Sequence, residues 1–258
     1  MVLPFLFGIS CKGGYMNSTI TELFERKSVR AFEDRDISED VKALIIDAAI
    51  QAPTAGNQVL YSILDITDQK LKDALAISCD NQPFIAKAPL VLIFLADCRR
   101  WLDSYEYARC EARNPGKGDL ILAMEDAIIA AQNAVVAAHS LGIGSCYIGD
   151  ILENAEQHIE LLELDEYVMP AAMLVFGYPV QQQKDRKKPE RFDRRFIVHE
   201  NSYRRLSKQE HVEMLTQIHE ESGFDFEDYI TKFCRRKYMS DFSREMSRSA
   251  EVYLSNFE

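Results

Sequence analysis

Residues 120–139 are apolar or small on nearly every side of a helix, with Ile121, Leu122, Ile128, Ile129, Val135 and Val136 spread around it. A helix of this kind offers water no polar face, so it is expected to be buried all round at the centre of a core. Two runs suit the same core. Residues 90–96 and 171–176 are continuously apolar, as in strands buried on both faces. With 258 residues, 47% of them hydrophobic, the chain can bury one substantial core, and one domain with an appendage is expected.

Around that centre, helices and strands alternate. Thr19-Ile20-Thr21-Glu22 reads as a capping box opening a first helix. Ser38 caps a second, whose Val41, Leu44, Ile45, Ala48 and Ala49 recur at helical spacing until Pro53. Residues 60–66 read as a strand, 69–78 as a helix, 81–83 as a loop and 153–162 as a helix. Gly142 and Gly144 stop the central helix, and Cys146-Tyr147-Ile148-Gly149 leads into a turn. Beyond Leu206 the chain is helical and mostly polar, with Met214, Ile218, Tyr229, Phe233, Met246 and Tyr253 as partial apolar stripes. Such a tail can cap its own core or lie across a second subunit. With no Gly-x-Gly-x-x-Gly and no Walker loop, the class is α+β: a mixed sheet flanked by helices, a buried central helix and a helical C-terminal extension.

Charge narrows the function. The net charge of −11 argues against a nucleic-acid or anionic-membrane partner, since both need positive surface. Two basic stretches stand out against it. Arg26-Lys27-Ser28-Val29-Arg30 puts three cations and a hydroxyl within five residues, and residues 184–205 hold nine basic and four acidic side chains. A forked guanidinium grips phosphate bidentately, Lys adds a point charge and Ser a hydrogen bond, so a small anionic ligand suits them. The six cysteines contain no Cys-x-x-Cys pair and the five histidines no His-Glu-x-x-His spacing. Neither a disulfide frame nor a metal site is indicated, and a reducing compartment, the cytoplasm, is expected. No stretch is read as reaching transmembrane length, and residues 1–15 are read as a loose extension or misassigned start.

Five motifs, in order, resemble the FMN-dependent nitroreductase family, the oxygen-insensitive NAD(P)H nitroreductase and flavin reductase group. Arg26-Lys27-Ser28-Val29-Arg30, followed by Phe32, resembles its opening phosphate-binding motif. Ala52-Pro53-Thr54-Ala55-Gly56-Asn57-Gln58 resembles the loop that approaches the flavin ring, and Asn81-Gln82 before Pro83 the segment whose Gln meets the ring's polar edge. Residues 142–149, ending Tyr147-Ile148-Gly149, resemble the glycine-rich turn beside the flavin. Lys188-Pro189-Glu190-Arg191, then residues 197–203, resemble the late phosphate-binding and closing motif, one residue longer than the family's Lys-Pro-Arg. The resemblance implies a homodimer with two FMN sites, each built from both chains, over a core of residues 16–205 with residues 206–258 as its helical extension. The cofactor ligands it implies are Arg26, Lys27, Ser28, Arg30, Thr54, Asn57, Gln82, Tyr147, Ile148, Gly149, Lys188 and Arg191, with Arg30 and Gln82 at the ring's N1/O2 edge. It implies no catalytic side chain: NADPH or NADH reduces the flavin, which reduces a nitroaromatic, quinone or similar acceptor by ping-pong. A flavin reductase or dehalogenase on the same fold, and a non-enzymatic flavin-binding module, remain as alternatives.

Overall fold

The computed structural model describes residues 17–219 and 223–257, so the extension read at residues 1–15 lies outside the described residues. In chain order the elements are α1 (Ser18–Glu25), α2 (Glu39–Ile50), β1 (Tyr61–Asp65), α3 (Gln69–Ser78), α4 (Pro83–Ala86), β2 (Leu90–Asp97), α5 (Arg99–Tyr107) and α6 (Lys117–Ser140). There follow β3 (Gly144–Ile148), α7 (Ala155–Leu161), β4 (Val168–Gly177), α8 (Gln181–Asp185), α9 (Lys208–Ile218), α10 (Phe226–Phe233) and α11 (Asp241–Leu254).

The strands form one sheet in the order β1-β2-β4-β3, each neighbour antiparallel. Among the described residues, parallel pairing is confined to an isolated bridge between Ser28 and Ser145 at the β3 edge. Alternation along β2 explains its unbroken apolar run. Leu90, Leu92 and Phe94 face α2 and α6, whereas Val91, Ile93 and Leu95 face α3 and α4. Both faces are therefore dry, and all eight residues of β2 are buried.

The central helix departs from its expected burial. Ala123, Ala127, Ala130, Ala131, Ala134 and Ala138 make a small-residue face that lets α6 lie close against Phe94 and Phe176. The opposite face keeps Ile121 at 59% and Ile129 at 40% exposure, with Leu122 and Ile128 also exposed. Hydropathy alone does not distinguish a face covered by the same chain from one left for another. The 24 residues of α6 also have the length and apolarity to cross a bilayer, correcting the reading that no stretch does. Its alanine face packs on the sheet instead.

Local corrections have local causes. The first helix is capped by Asn17, whose Oδ1 accepts from the Ile20 N–H at 3.0 Å, and Thr19 lies inside the helix. Ser38 precedes α2 without a side-chain capping bond. The helix expected at 153–162 begins at Ala155, because Asn154 before it has left-handed backbone with φ of +50°. Pro83, the last residue of the loop read at 81–83, opens the short helix Pro83–Ala86, and the glycine-rich turn read at 142–149 contains β3.

The tail divides in two. Tyr253 and Phe257 are buried with Leu60, Cys98, Leu120 and Met169 of the core. The N-terminus of α7 is capped from α11: Ser249 Oγ accepts from Ala155 N–H at 3.0 Å, and Glu245 from Asn154 N–H at 3.1 Å. On α10, the segment after it and the first turn of α11, Phe233, Tyr238, Met239 and Phe242 stay exposed.

Candidate functional site

The first basic stretch is pinned to the sheet edge by a close approach. A Cβ on Gly144 would come within 2.6 Å of the Val29 side chain, so only glycine lets that segment lie against β3. The Val29 N–H donates to Ser145 O at 2.9 Å. The second stretch is laced onto the first. Lys27 Nζ donates to Lys184 O at 2.7 Å and to Arg186 O, and the Arg186 guanidinium donates to Ser28 O. Lys188 Nζ donates to Phe24 O at 2.6 Å and Leu23 O at 3.2 Å, neutralising the C-terminus of α1.

These contacts gather Arg26, Lys188 and Arg191. Burial lowers the Arg26 pKa, against upward pulls from Tyr147 and Cys146, and the neighbouring Arg191 charge adds a smaller push downward. Burial, Arg191 and Arg26 together lower that of Lys188. Arg26 Nε is buried with no hydrogen-bond partner. Cations crowded beside a buried unpartnered donor fit a phosphate, whose oxygens accept from guanidinium forks. Cys146 sits beneath, near Arg30, Ser28 and Arg26. Burial outweighs their influence and pushes its thiol up, so it is a protonated packing group at neutral pH. Burial likewise pushes the Tyr147 phenol up to about 12, and its hydroxyl donates to Gln132 Oε1 at 3.3 Å. His139 is held neutral chiefly by burial.

The Thr54–Asn57 turn hangs elsewhere on α6, from Asp126. That carboxylate accepts from the Thr54 hydroxyl, from Ala55 N–H at 2.8 Å and from Leu60 N–H at 3.2 Å. Thr54 Oγ1 in turn accepts from Val59 N–H at 2.8 Å. The Thr54 hydroxyl is thus spent inside the chain, and Gly56 N–H and the exposed Asn57 side chain are what the turn presents. Its carbonyls are held by α5: Trp101 Nε1 donates to Gln58 O at 2.7 Å, and Arg100 to Val59 O at 2.9 Å and Tyr61 O at 3.0 Å. Gly56, Asn57 and Val59 have φ of +56°, +58° and +53°. For a β-branched residue this region is strained, by about 1–3 kcal/mol, and persists only where the surroundings enforce it. Behind the turn is a cavity of about 260 Å³ lined by Gln58, Leu60, Trp101, Tyr105 and Leu122, among others.

Gln82 precedes α4 with its Nε2 donating to Cys79 O at 2.8 Å, which leaves its Oε1 available. The Ile148 side chain is buried in the core, so only its backbone can meet a ligand. A side chain on Gly149 would project into open space.

The Nitroreductase family pattern matches residues 23–178, more than half of the chain. The chain belongs to the Nitroreductase family. FMN reductase (NAD(P)H) of Bacillus subtilis (strain 168) is 30% identical over 191 residues, 73% of this chain and 75% of that protein. Oxygen-insensitive NADPH nitroreductase of Salmonella typhimurium is 34% identical over 194 residues, 75% of this chain and 78% of that protein. NfrA2 of B. megaterium superposes with a TM-score of 0.78 at 28% identity, covering 94% of this chain and all of the other. The Vibrio harveyi NADPH:FMN oxidoreductase complexed with NAD+ gives a TM-score of 0.78 at 25% identity over 92% and 98% of the two chains.

Within this nitroreductase-family chain the matched span includes Arg26, the turn, Gln82 and Gly149 but stops before Lys188 and Arg191. Those two join the site through the lacing just described. The structure brings together Arg26, Lys27, Ser28, Arg30, Tyr147, Lys188 and Arg191. Thr54 and Asn57 stand apart: Asp126 and His139, which faces the cations, are thirteen residues apart on α6, roughly 20 Å along a helix axis. Sequence reasoning missed Asp126, Arg100, Trp101 and Arg186. For Asp126 a signal existed, an acid among alanines on an otherwise apolar helix, where a charge needs a buried purpose.

Proposed function

We propose that the chain binds FMN and is an oxidoreductase that moves hydride from NAD(P)H to a nitroaromatic, quinone or similar acceptor. The observation that carries this reading is the buried, unpartnered Arg26 Nε beside Lys188 and Arg191. A flavin phosphate would accept from Arg26 and Arg191, with Ser28 along the ribityl chain. Arg30 and Gln82 would hold the N1/O2 edge, where positive charge and hydrogen bonds favour negative charge on the ring. The backbone at Ile148 and Gly149 and the exposed Asn57 would leave one ring face open. Bound FMN supplies the redox chemistry, accepting hydride from the nicotinamide and handing it to the acceptor. The relatives' names, an FMN reductase and a nitroreductase, support the flavin and differ in the acceptor.

In this reading the working unit is a homodimer. The exposed Ile121, Leu122, Ile128 and Ile129 face of α6 is apolar enough to want a second copy. A second copy could also bring a turn to each cation cluster, answering their separation along α6. Cys110 and Cys234, free and exposed, suit the cytoplasm. The test is steady-state rate over a grid of NAD(P)H and acceptor concentrations on protein of known FMN content, with mass by light scattering. Parallel double-reciprocal lines and a dimer are expected. Intersecting lines would end the ping-pong reading, and yellow protein that NAD(P)H does not bleach under nitrogen would make it a binding module.

A further inference from the structure

We propose that Asp126 is a positioning residue that sets the flavin-facing shape of the Thr54–Leu60 turn. The proposal rests on the flavin reading above. Asp126 is only 3% exposed, and among the described residues it makes no ion pair. A buried carboxylate is costly unless donors surround it, and among the described residues its donors all come from one turn: the Thr54 hydroxyl and the Ala55 and Leu60 N–H groups. Its hold spans both ends of the turn and encloses Gly56, Asn57 and Val59, the three residues with left-handed backbone.

The clamp has two signs. Helix α6 offers an anion to the turn's N–H groups, while α5 offers the Arg100 guanidinium and Trp101 indole to its carbonyls. A turn gripped this way cannot relax its strained residues without breaking bonds to a charge. What it leaves unspent is the Gly56 N–H and the Asn57 amide, so the clamp decides which groups face the ligand. It also fixes Gln58 and Leu60, which line the cavity behind.

The test compares Asp126→Ala and Asp126→Asn with Val135→Ala, a cavity-forming change on the same helix away from the turn. Two quantities are read: amide exchange of the segment 54–60 in flavin-free protein, and FMN affinity by titration. Losing hydrogen bonds to a charge predicts exchange and FMN Kd both rising about tenfold or more in Asp126→Ala. Asp126→Asn, which keeps one acceptor oxygen, is expected to recover part of both. Val135→Ala is expected to lower Tm while leaving both near wild type. If Asp126→Ala does not fold, Asp126→Asn carries the test with the same direction. Unchanged exchange in the Asp126 variants, or faster exchange with unchanged Kd, would overturn the assignment. Wild-type protein that takes up no FMN would instead overturn the flavin reading, whatever the exchange shows.

Discussion

In the turn, every backbone N–H from Asn57 to Leu60 has an acceptor within the chain, whereas Arg26 Nε, beside Arg191 and Lys188, has none. The joint between α11 and α7 resembles the turn. There Arg248 meets Glu156 at 2.8 Å and Glu245 at 2.8 Å, and Ser249 and Glu245 cap α7. The contrast teaches what can be completed within a fold. Donors and acceptors that both belong to the chain can be matched locally, which fixes a shape before any ligand arrives. Cations meant for an anion must stay unanswered, because a carboxylate placed among them would compete with the ligand. Removing a complete joint should cost stability, and removing an unanswered charge should cost affinity.

The harshest test breaks a complete joint. A chain ending near Tyr203 loses the capping of α7 and the buried Tyr253 and Phe257. Each buried aromatic is worth about 3–5 kcal/mol on truncation, and a domain's whole stability is about 5–15 kcal/mol. Such a chain is expected to aggregate or melt far below wild type, as calorimetry and light scattering would show. A stable, flavin-loaded truncated dimer would mean the tail is decoration.

Next is the unanswered charge. Charge-assisted hydrogen bonds contribute about 1.5–3 kcal/mol, so Arg26→Ala should weaken FMN binding about 10- to 150-fold. The flavin-free variant should keep its Tm or gain slightly, since a partly buried cation with an orphaned donor is gone. Titration and calorimetry of apoprotein separate the two effects. Unchanged affinity in both Arg26→Ala and Arg191→Ala would remove the cluster from the site.

Thr54→Val reverses the pattern. It strips a hydroxyl that donates to Asp126 and accepts from Val59, leaving a buried acceptor short of one donor. The cost is about 1–3 kcal/mol, and each kcal/mol lowers Tm by roughly 2–4 °C in a domain of this size. Thr54→Ser should restore it. A Tm unmoved by Thr54→Val would show that the turn is not complete in the sense argued here.

Legibility in the sequence follows the same division. Elements made by local periodicity were readable: α3 occupies the expected 69–78, and β2 and β4 contain both apolar runs. β3 was hidden because Gly144 reads as a breaker, and its reason for being glycine is a contact with Val29 on a distant segment. Exposure on α6 was hidden because an apolar residue looks alike whether its cover is the same chain or another. In the site, the charge of each basic stretch was plain, but the meeting of Arg26 with Arg191 is a tertiary fact. Asp126 stood out as an acid on an apolar helix, but what it holds was hidden, since its donors are mainly backbone N–H groups, which no sequence pattern displays.

The smallest expected effect lies at the α7 end, where paired and unpaired carboxylates stand side by side. Glu153 is 6% exposed, with no hydrogen-bond donor to its carboxyl among the described residues. Burial first, then Asp150, Asp80 and Glu245, pushes its pKa up to about 7. The bonds from Arg248 and Ser249 hold Glu245 at about 2. The two act on stability with opposite sign. From about pH 4.5 to 7 the folded chain keeps a proton on Glu153 that the unfolded chain has lost, so stability falls as pH rises through that window and levels off above it. Glu245 contributes stability above pH 4.5 that is lost as pH falls toward 2. Glu153→Gln should therefore match wild type near pH 5 and exceed it at pH 8 by on the order of 1 kcal/mol, or roughly 2–4 °C in Tm. Melting curves of the two proteins at both pH values check this. A Tm difference that is the same at pH 5 and pH 8 would show that the falling limb belongs to another group.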